Sequence, residues 1–301
     1  MSSTAVSLCG ISLKNPVMTA SGTFGSGLEY ADSFDISRLG AVVTKGVAMT
    51  PWKGNPTPRV CETPSGMLNA IGLQNAGVET FIQEDLSFLR GVDTRVIVNV
   101  CGHSIPEYCQ VVERLDEEEG IDAYEINVSC PNVKEGGIAF GTDPSALLAV
   151  TQEVRRHTRR PMIIKLSPNV TDIASLAKVA EEGGADAVSL INTLLGMKID
   201  IYRRKPFLAN TTGGLSGPAI RPVAVRMVYQ VAHAVKIPVI GMGGITSGAD
   251  AIEFLMAGAT AVSVGTAIFH DPAAPLHVAE EIEEFLQQQG IKDIREIIGV
   301  A

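Results

Sequence analysis

Eight short runs of small and β-branched apolar residues recur along this sequence, separated by stretches whose apolar residues fall at helical spacing. That strict alternation leaves few folds open. The strand-like runs lie at 17–20, 41–47, 95–100, 123–128, 162–166, 187–192, 238–241 and 261–264. Helical stretches lie at 106–119, 144–157, 172–182, 222–235, 248–257 and 279–289. Thr171-Asp172 ahead of one stretch and Gly183-Gly184 behind it are start and stop signals. Alternating strands and helices imply a parallel sheet. Eight such units favour a closed (β/α)8 TIM barrel over an open doubly wound sheet. Aromatic residues are only 5% of the chain, against 46% hydrophobic residues in all. The core material is therefore Ala, Val, Ile and Leu, as suits strands buried on both faces.

No linker or repeat divides the sequence, so residues 1–301 are expected to form one barrel domain. The segment 6–13, turning at Gly10, reads as a short N-terminal hairpin plugging the N-terminal end of the barrel. Two connections greatly exceed the usual length of about two to six residues: 48–77 after strand two and 194–217 after strand six. Both follow the C-terminal ends of strands, where barrels place their active sites. They are expected to be lids; the alternative is surface insertion without function.

The net charge of −9 argues against nucleic acid and against docking to an anionic membrane. No apolar run reaches the ~18 residues of a membrane span, and no signal-peptide pattern opens the chain. The five cysteines are odd in number and scattered, without zinc or iron–sulfur spacing. This pattern suggests a reduced, cytoplasmic protein.

Function is sought at the strand ends, which a barrel gathers on one rim. They carry Ser21, Lys45, Asn99, Asn127 followed by Cys130, Lys165, Asn192-Thr193, Gly243-Gly244 and Gly265-Thr266. The last two pairs are glycine turns through which backbone N–H groups could meet a phosphate, helped by the helix starts behind them; the plain alternative is a tight turn. Lys45 and Lys165 each close an apolar run, and a buried ammonium needs an anion. A flavin that gains negative charge on reduction would satisfy both lysines. A Schiff-base lyase or aldolase using Lys165 would too. No carboxylate stands among these rim residues, although Glu125 shares strand parity with Asn127 and would sit lower in the barrel. Cys130 is the obvious acid/base candidate, whereas Cys9, Cys61, Cys101 and Cys109 are expected to be small buried hydrophobes. Asn69, Asn127, Asn132 and Asn192 suit a ligand with alternating C=O and N–H groups.

With these residues assembled, the chain resembles the dihydroorotate dehydrogenases, and within them the NAD-linked class 1B catalytic subunits. The resemblance runs from Asn15-Pro16 to about Phe269. Its distinctive stretches are Ala20-Ser21-Gly22-Thr23-Phe24-Gly25, Thr44-Lys45-Gly46, Asn69-Ala70-Ile71-Gly72-Leu73-Gln74-Asn75 and Asn127-Val128-Ser129-Cys130-Pro131-Asn132. Ile191-Asn192-Thr193 and the two glycine turns complete the set.

The resemblance implies an FMN-dependent oxidation of dihydroorotate to orotate in pyrimidine synthesis. It implies FMN contacts from Ser21, Lys45, Gly46, Asn99, Asn127, Lys165, Ile191 and Gly217, with Gly243, Gly244, Gly265 and Thr266 holding the phosphate. Substrate contacts would come from Lys45, Asn69, Ala70, Ile71, Gly72, Leu73, Asn127, Asn132, Asn192 and Thr193. Cys130 would be the base. The membrane-associated class has serine there, and dihydropyrimidine dehydrogenases usually have histidine where Asn132 stands. The fumarate-linked class 1A keeps the cysteine and differs only in softer features such as Leu73-Gln74-Asn75-Ala76-Gly77. Class 1B membership further implies a partner subunit carrying FAD and a 2Fe-2S cluster, in a heterotetramer of two catalytic and two electron-transfer chains.

Overall fold

The computed structural model describes residues 2–128, 134–135 and 138–301. Eight parallel strands close into a barrel: β1 (Val17–Thr19), β2 (Ala41–Val43), β3 (Arg95–Val100), β4 (Ala123–Asn127), β5 (Met162–Lys165), β6 (Ala187–Leu190), β7 (Val239–Met242) and β8 (Ala261–Val264). The ring shuts where Val262 of β8 lies opposite Val17 of β1. Apart from Arg95 at the start of β3, every residue of these strands is buried. That explains runs that are apolar throughout rather than alternating. Closure also leaves no unpaired barrel edge.

The helices Ile105–Asp116, Pro144–His157, Ile173–Glu182, Arg221–Ala232, Gly248–Met256 and Ala274–Gln288 lie where the apolar spacing predicts, to within a few residues at their ends. Asp143 and Asp172 accept hydrogen bonds from the backbone N–H of Ala146 and Ser175, fixing two of their starts. One helical segment was not anticipated: Val78–Thr80, Phe81–Leu86 and Ser87–Leu89 run on as a single coil with a wide π-helical turn in the middle. It buries Val78, Phe81, Ile82, Leu86 and Leu89.

The N-terminal hairpin pairs Val6–Leu8 with Ile11–Leu13. Leu8 and Leu13 are fully buried, while the Cys9 thiol donates to the Asp186 carbonyl (3.2 Å) and Arg95 Nε to the Ser12 carbonyl (3.2 Å). Those partners precede β6 and open β3, so the hairpin closes the end expected of it.

At the opposite end the two long connections are not separate lids. Val60–Thr63 and Gly66–Asn69 from the first pair with Gly213–Ser216 and Leu194–Gly196 from the second in one four-stranded antiparallel sheet. Cys61, Leu68, Ala70 and Leu208 form a small core of its own beneath it. The second connection exposes Leu195 on that sheet and, beyond it, Met197, Ile199, Ile201 and Tyr202.

Candidate active site

Towards the C-terminal end the barrel interior is polar, in place of the branched apolar layers that usually fill such barrels. β3, β4, β5 and β6 contribute Asn99, Glu125, Lys165 and Ser189, all buried. Glu125 is the hub. It accepts from Asn99 Nδ2 at 2.6 Å, from Ser189 Oγ at 2.7 Å and from Lys165 Nζ at 3.4 Å. Lys165 Nζ also donates to Ser21 Oγ beyond β1, at 3.3 Å. Four strands and the β1 loop are thereby joined by one carboxylate.

This network corrects part of the argument from charge. Lys165 does not need a ligand for its counter-ion, because Glu125 supplies one, buried at 2% exposure. Glu125 does lie one layer below Asn127, as its strand parity implies, and from there it stands directly against the site's lysine. Ser189 was not anticipated either, and parity along 187–190 was the only signal that could have found it. Lys45 is different. It stands two residues past the end of β2 and is half-buried. Burial holds its ammonium below the usual lysine range, with Arg59 pushing the same way and Cys101 opposing. An anion beside Lys45 would relieve that cost.

Asn99 points its other amide atom at the rim. Its Oδ1 is buried without a hydrogen-bond partner. It faces Gly46, where a Cβ would come within 3.2 Å of Oδ1, 3.4 Å of Cys101 Sγ and 3.9 Å of Leu73 Cδ2. Lys45, Gly46, Asn99 and Leu73 are thus gathered at one place.

A second group lies above the first. Asn192 Nδ2 donates to Asn127 Oδ1 at 3.4 Å, and the Asn192 Oδ1 accepts the Thr193 backbone N–H at 2.8 Å. A Cβ on Gly214 would run into the Thr193 side chain, and Asn69 Nδ2 reaches the Gly214 carbonyl at 3.4 Å. The cover sheet therefore brings Asn69 to Thr193. The segment after Asn69 folds back on Asn55, which donates to the Ala70 carbonyl through Nδ2 and to the Ile71 carbonyl through its N–H, both at 2.9 Å. Gly72 and Leu73 both take positive φ there (75° and 51°). Tyr108 OH supports the floor by donating to the Asn127 carbonyl at 2.9 Å.

The glycine turns form a third group. Gly217, Gly243 and Gly244 have φ of 97°, 125° and 82°, a region only glycine enters freely. A Cβ on Gly243 would stand 3.3 Å from Ile191 Cγ1, and one on Gly244 would stand 2.8 Å from the Gly217 carbonyl oxygen. Ile191 and the three glycines therefore crowd together. Gly265 adjoins the β1 end, 3.5 Å from Ala20 Cβ on the same construction. Helix dipoles contribute less than the sequence suggests. The start of Gly248–Met256 is occupied by its own capping box, Ser247 with Asp250, and by Glu281 on the Gly248 N–H. Directly after β8 comes the short 3-10 turn Thr266–Phe269, and the long helix begins only at Ala274. What the turns can offer a phosphate is backbone N–H at glycine.

Cys130 and Asn132 lie outside the described residues. Cys61, Cys101 and Cys109 are buried and Cys9 partly so, none in a disulfide, as expected of small hydrophobes. His103, the histidine nearest a strand end, is exposed and stacks on Trp52 with centroids 3.9 Å apart. Among the described residues no His, Cys, Asp or Glu cluster could hold a metal, and no helix is long and apolar enough to cross a membrane.

Comparison with known proteins agrees with this geometry. The family model for dihydroorotate dehydrogenase matches residues 3–286. The dihydroorotate dehydrogenase B (NAD(+)) catalytic subunit of Lachnoclostridium phytofermentans is 62% identical over 98% of this chain and 98% of its own length. Those of Alkaliphilus oremlandii and Geotalea uraniireducens are 61% and 58% identical, again over 98% of this chain and 97% of theirs. A crystal structure of DHODH from Eimeria tenella in complex with ferulenol shares the fold, with a TM-score of 0.83 at 22% identity, over 99% of this chain and 88% of that one. Match of nearly the whole length to the family model, and identity near 60% to relatives of one kind, place this chain in the dihydroorotate dehydrogenase family.

Proposed function

We propose that the chain, acting as one FMN-binding unit over residues 1–301, oxidises dihydroorotate to orotate in pyrimidine synthesis. In this reading it works in the cytoplasm as the catalytic half of a heterotetramer, passing electrons to NAD through a partner subunit with FAD and a 2Fe-2S cluster. The names of the relatives, NAD-linked catalytic subunits, support that division of labour over the fumarate-linked alternative.

The observation that carries the cofactor assignment is the buried, unpaired Asn99 Oδ1 beside Gly46, with Lys165 and Ser21 on the same interior surface. A buried acceptor without a partner costs about 1–3 kcal/mol, a cost that a ring N–H would relieve. The pyrimidine edge of a flavin offers an N–H flanked by carbonyls, which matches an acceptor next to a cation. The crowded glycines 217, 243 and 244, with 265–266, would hold the phosphate on backbone N–H groups.

FMN, when bound, supplies the hydride acceptor. Lys45 would hold the substrate's carboxylate, a partner that offsets the burial lowering its pKa. Asn69, Asn127, Asn192 and Thr193 would hold the substrate ring, whose C=O and N–H groups match paired amides. The cover sheet above them would exclude water. Cys130 would take the proton from substrate carbon 5, a role resting on the Ser129-Cys130-Pro131-Asn132 motif. The lyase alternative is weakened because Lys165 is engaged as a donor to Ser21 and Glu125, an orientation unlike that of a free nucleophile.

The test is anaerobic. Purified protein should carry FMN and lose its yellow colour when dihydroorotate is added. Protein that takes up no FMN, or a flavin that dihydroorotate leaves oxidised, overturns the reading. Borohydride trapping of a substrate adduct on Lys165 would instead establish the lyase.

A further inference from the structure

Glu125 belongs to no expected set of ligand contacts, yet it accepts hydrogen bonds from three strands inside the barrel. We propose that Glu125 is a positioning residue. It fixes the Asn99 amide with its carbonyl turned to the rim, and it holds the Lys165 ammonium beside Ser21, so that the site presents one acceptor and one cation to a ring N–H and its neighbouring carbonyl. The inference rests on the FMN reading above and deepens it.

The argument is one of hydrogen-bond direction. An asparagine amide can present either its NH2 or its C=O to a ligand, and rotation about one bond exchanges them. A carboxylate accepts only. Because Glu125 Oε2 stands 2.6 Å from the inner amide atom of Asn99, that atom must be Nδ2, and Oδ1 must face outward. The outward atom is the one left buried without a partner. The same Oε2 lies 3.4 Å from Lys165 Nζ, while Oε1 accepts from Ser189 at 2.7 Å. Three donors thus converge on one carboxylate that is 2% exposed, and none of the three can reverse its role while the charge persists. A neutral, non-accepting residue at 125 would free the Asn99 amide to turn and would leave Lys165 without its buried counter-charge.

The test measures cofactor recognition apart from turnover. Apo-protein is titrated with FMN and with 3-methyl-FMN, which lacks the ring N–H, for the unmodified chain, Glu125→Ala and Glu125→Gln. Circular dichroism verifies that each is folded. The unmodified chain should bind FMN far more tightly than 3-methyl-FMN. Glu125→Ala should weaken FMN on the order of ten- to hundred-fold, the value of a charge-assisted hydrogen bond, and should erase much of the discrimination. Glu125→Gln can still accept from Asn99 and donate to Ser189, so it should keep FMN within about threefold while shifting the flavin midpoint potential upward, because the negative charge is gone.

Folded Glu125→Ala with unchanged affinity and unchanged discrimination overturns the proposal. If that variant does not fold, an unchanged potential in Glu125→Gln overturns it. An unmodified chain that ignores FMN overturns the functional reading itself, a different result from an unmodified chain that binds and a variant that binds equally well.

Discussion

Gly244→Ala tests the glycine cradle with the least ambiguity. Gly244 sits at φ 82°, and a Cβ there would meet the Gly217 carbonyl oxygen at 2.8 Å and Arg221 Cβ and N at 2.9 and 3.2 Å. Two of those three atoms are backbone and cannot swing aside. Left-handed backbone costs a residue with a Cβ about 1–2 kcal/mol, and overpacking a filled site costs about 1–3 kcal/mol more. The sum, about 2–5 kcal/mol, corresponds to a fall in Tm of roughly 3–8 °C for a chain of this size. Gly22→Ala is the control: it lies beside Ser21 on the same rim, but a Cβ there meets nothing within 4 Å and its φ is not positive. Scanning calorimetry of the apo-proteins reads the stability, and fluorescence titration with FMN and with riboflavin separates phosphate binding from ring binding. Gly244→Ala should lose affinity for FMN and change little towards riboflavin. An apo Tm equal to that of Gly22→Ala, or equal losses for both flavins, would refute the reasoning.

Three further outcomes are expected. Cys130→Ala should retain FMN while its reduction by dihydroorotate slows by orders of magnitude in stopped-flow absorbance; a near-normal rate removes the cysteine from the role of base. Asp250→Ala should cost about 2–4 kcal/mol in urea unfolding, since Asp250 accepts from Thr246, Ser247 and Arg221 at the start of one helix; a loss under 0.5 kcal/mol would contradict that. Glu113, helped by Glu153, holds the His157 imidazolium above its ordinary pKa. Its contribution is therefore present in full below about pH 6.5 and fades as pH rises through the folded value. His157→Gln should lower Tm by about 1 °C at pH 5.5 and by nothing measurable at pH 9; the reverse pattern would show the sign to be wrong.

The barrel was legible because each of its strands is buried on both faces, so composition and spacing point the same way. Pro144–His157 could be placed to the residue, since Asp143, Pro144 and the charged end of the helix mark both limits. The coil from Val78 to Leu89 carries no start signal, because it follows a long loop directly, without a polar cap. The cover sheet was invisible for a different reason: its pairing of Asn69 with Gly214 spans two loops far apart in sequence, and nothing local encodes that register. Within the site, residue types at strand ends were enough to name Ser21, Lys45, Asn99, Asn127 and Lys165. What they could not reveal is who pairs with whom. By residue type Lys165 is an unmatched cation; its match, Glu125, lies one layer down on the neighbouring strand.

The account stands or falls on a single site shared by distant strand ends, and a structure of the chain with FMN and orotate tests it directly. The expected result has the flavin N–H at Asn99 Oδ1, its phosphate at Gly243, Gly244, Gly265 and Thr266, and Cys130 Sγ facing the ring across orotate. Flavin bound elsewhere, or Cys130 far from a pocket that holds both Lys45 and Lys165, would contradict it.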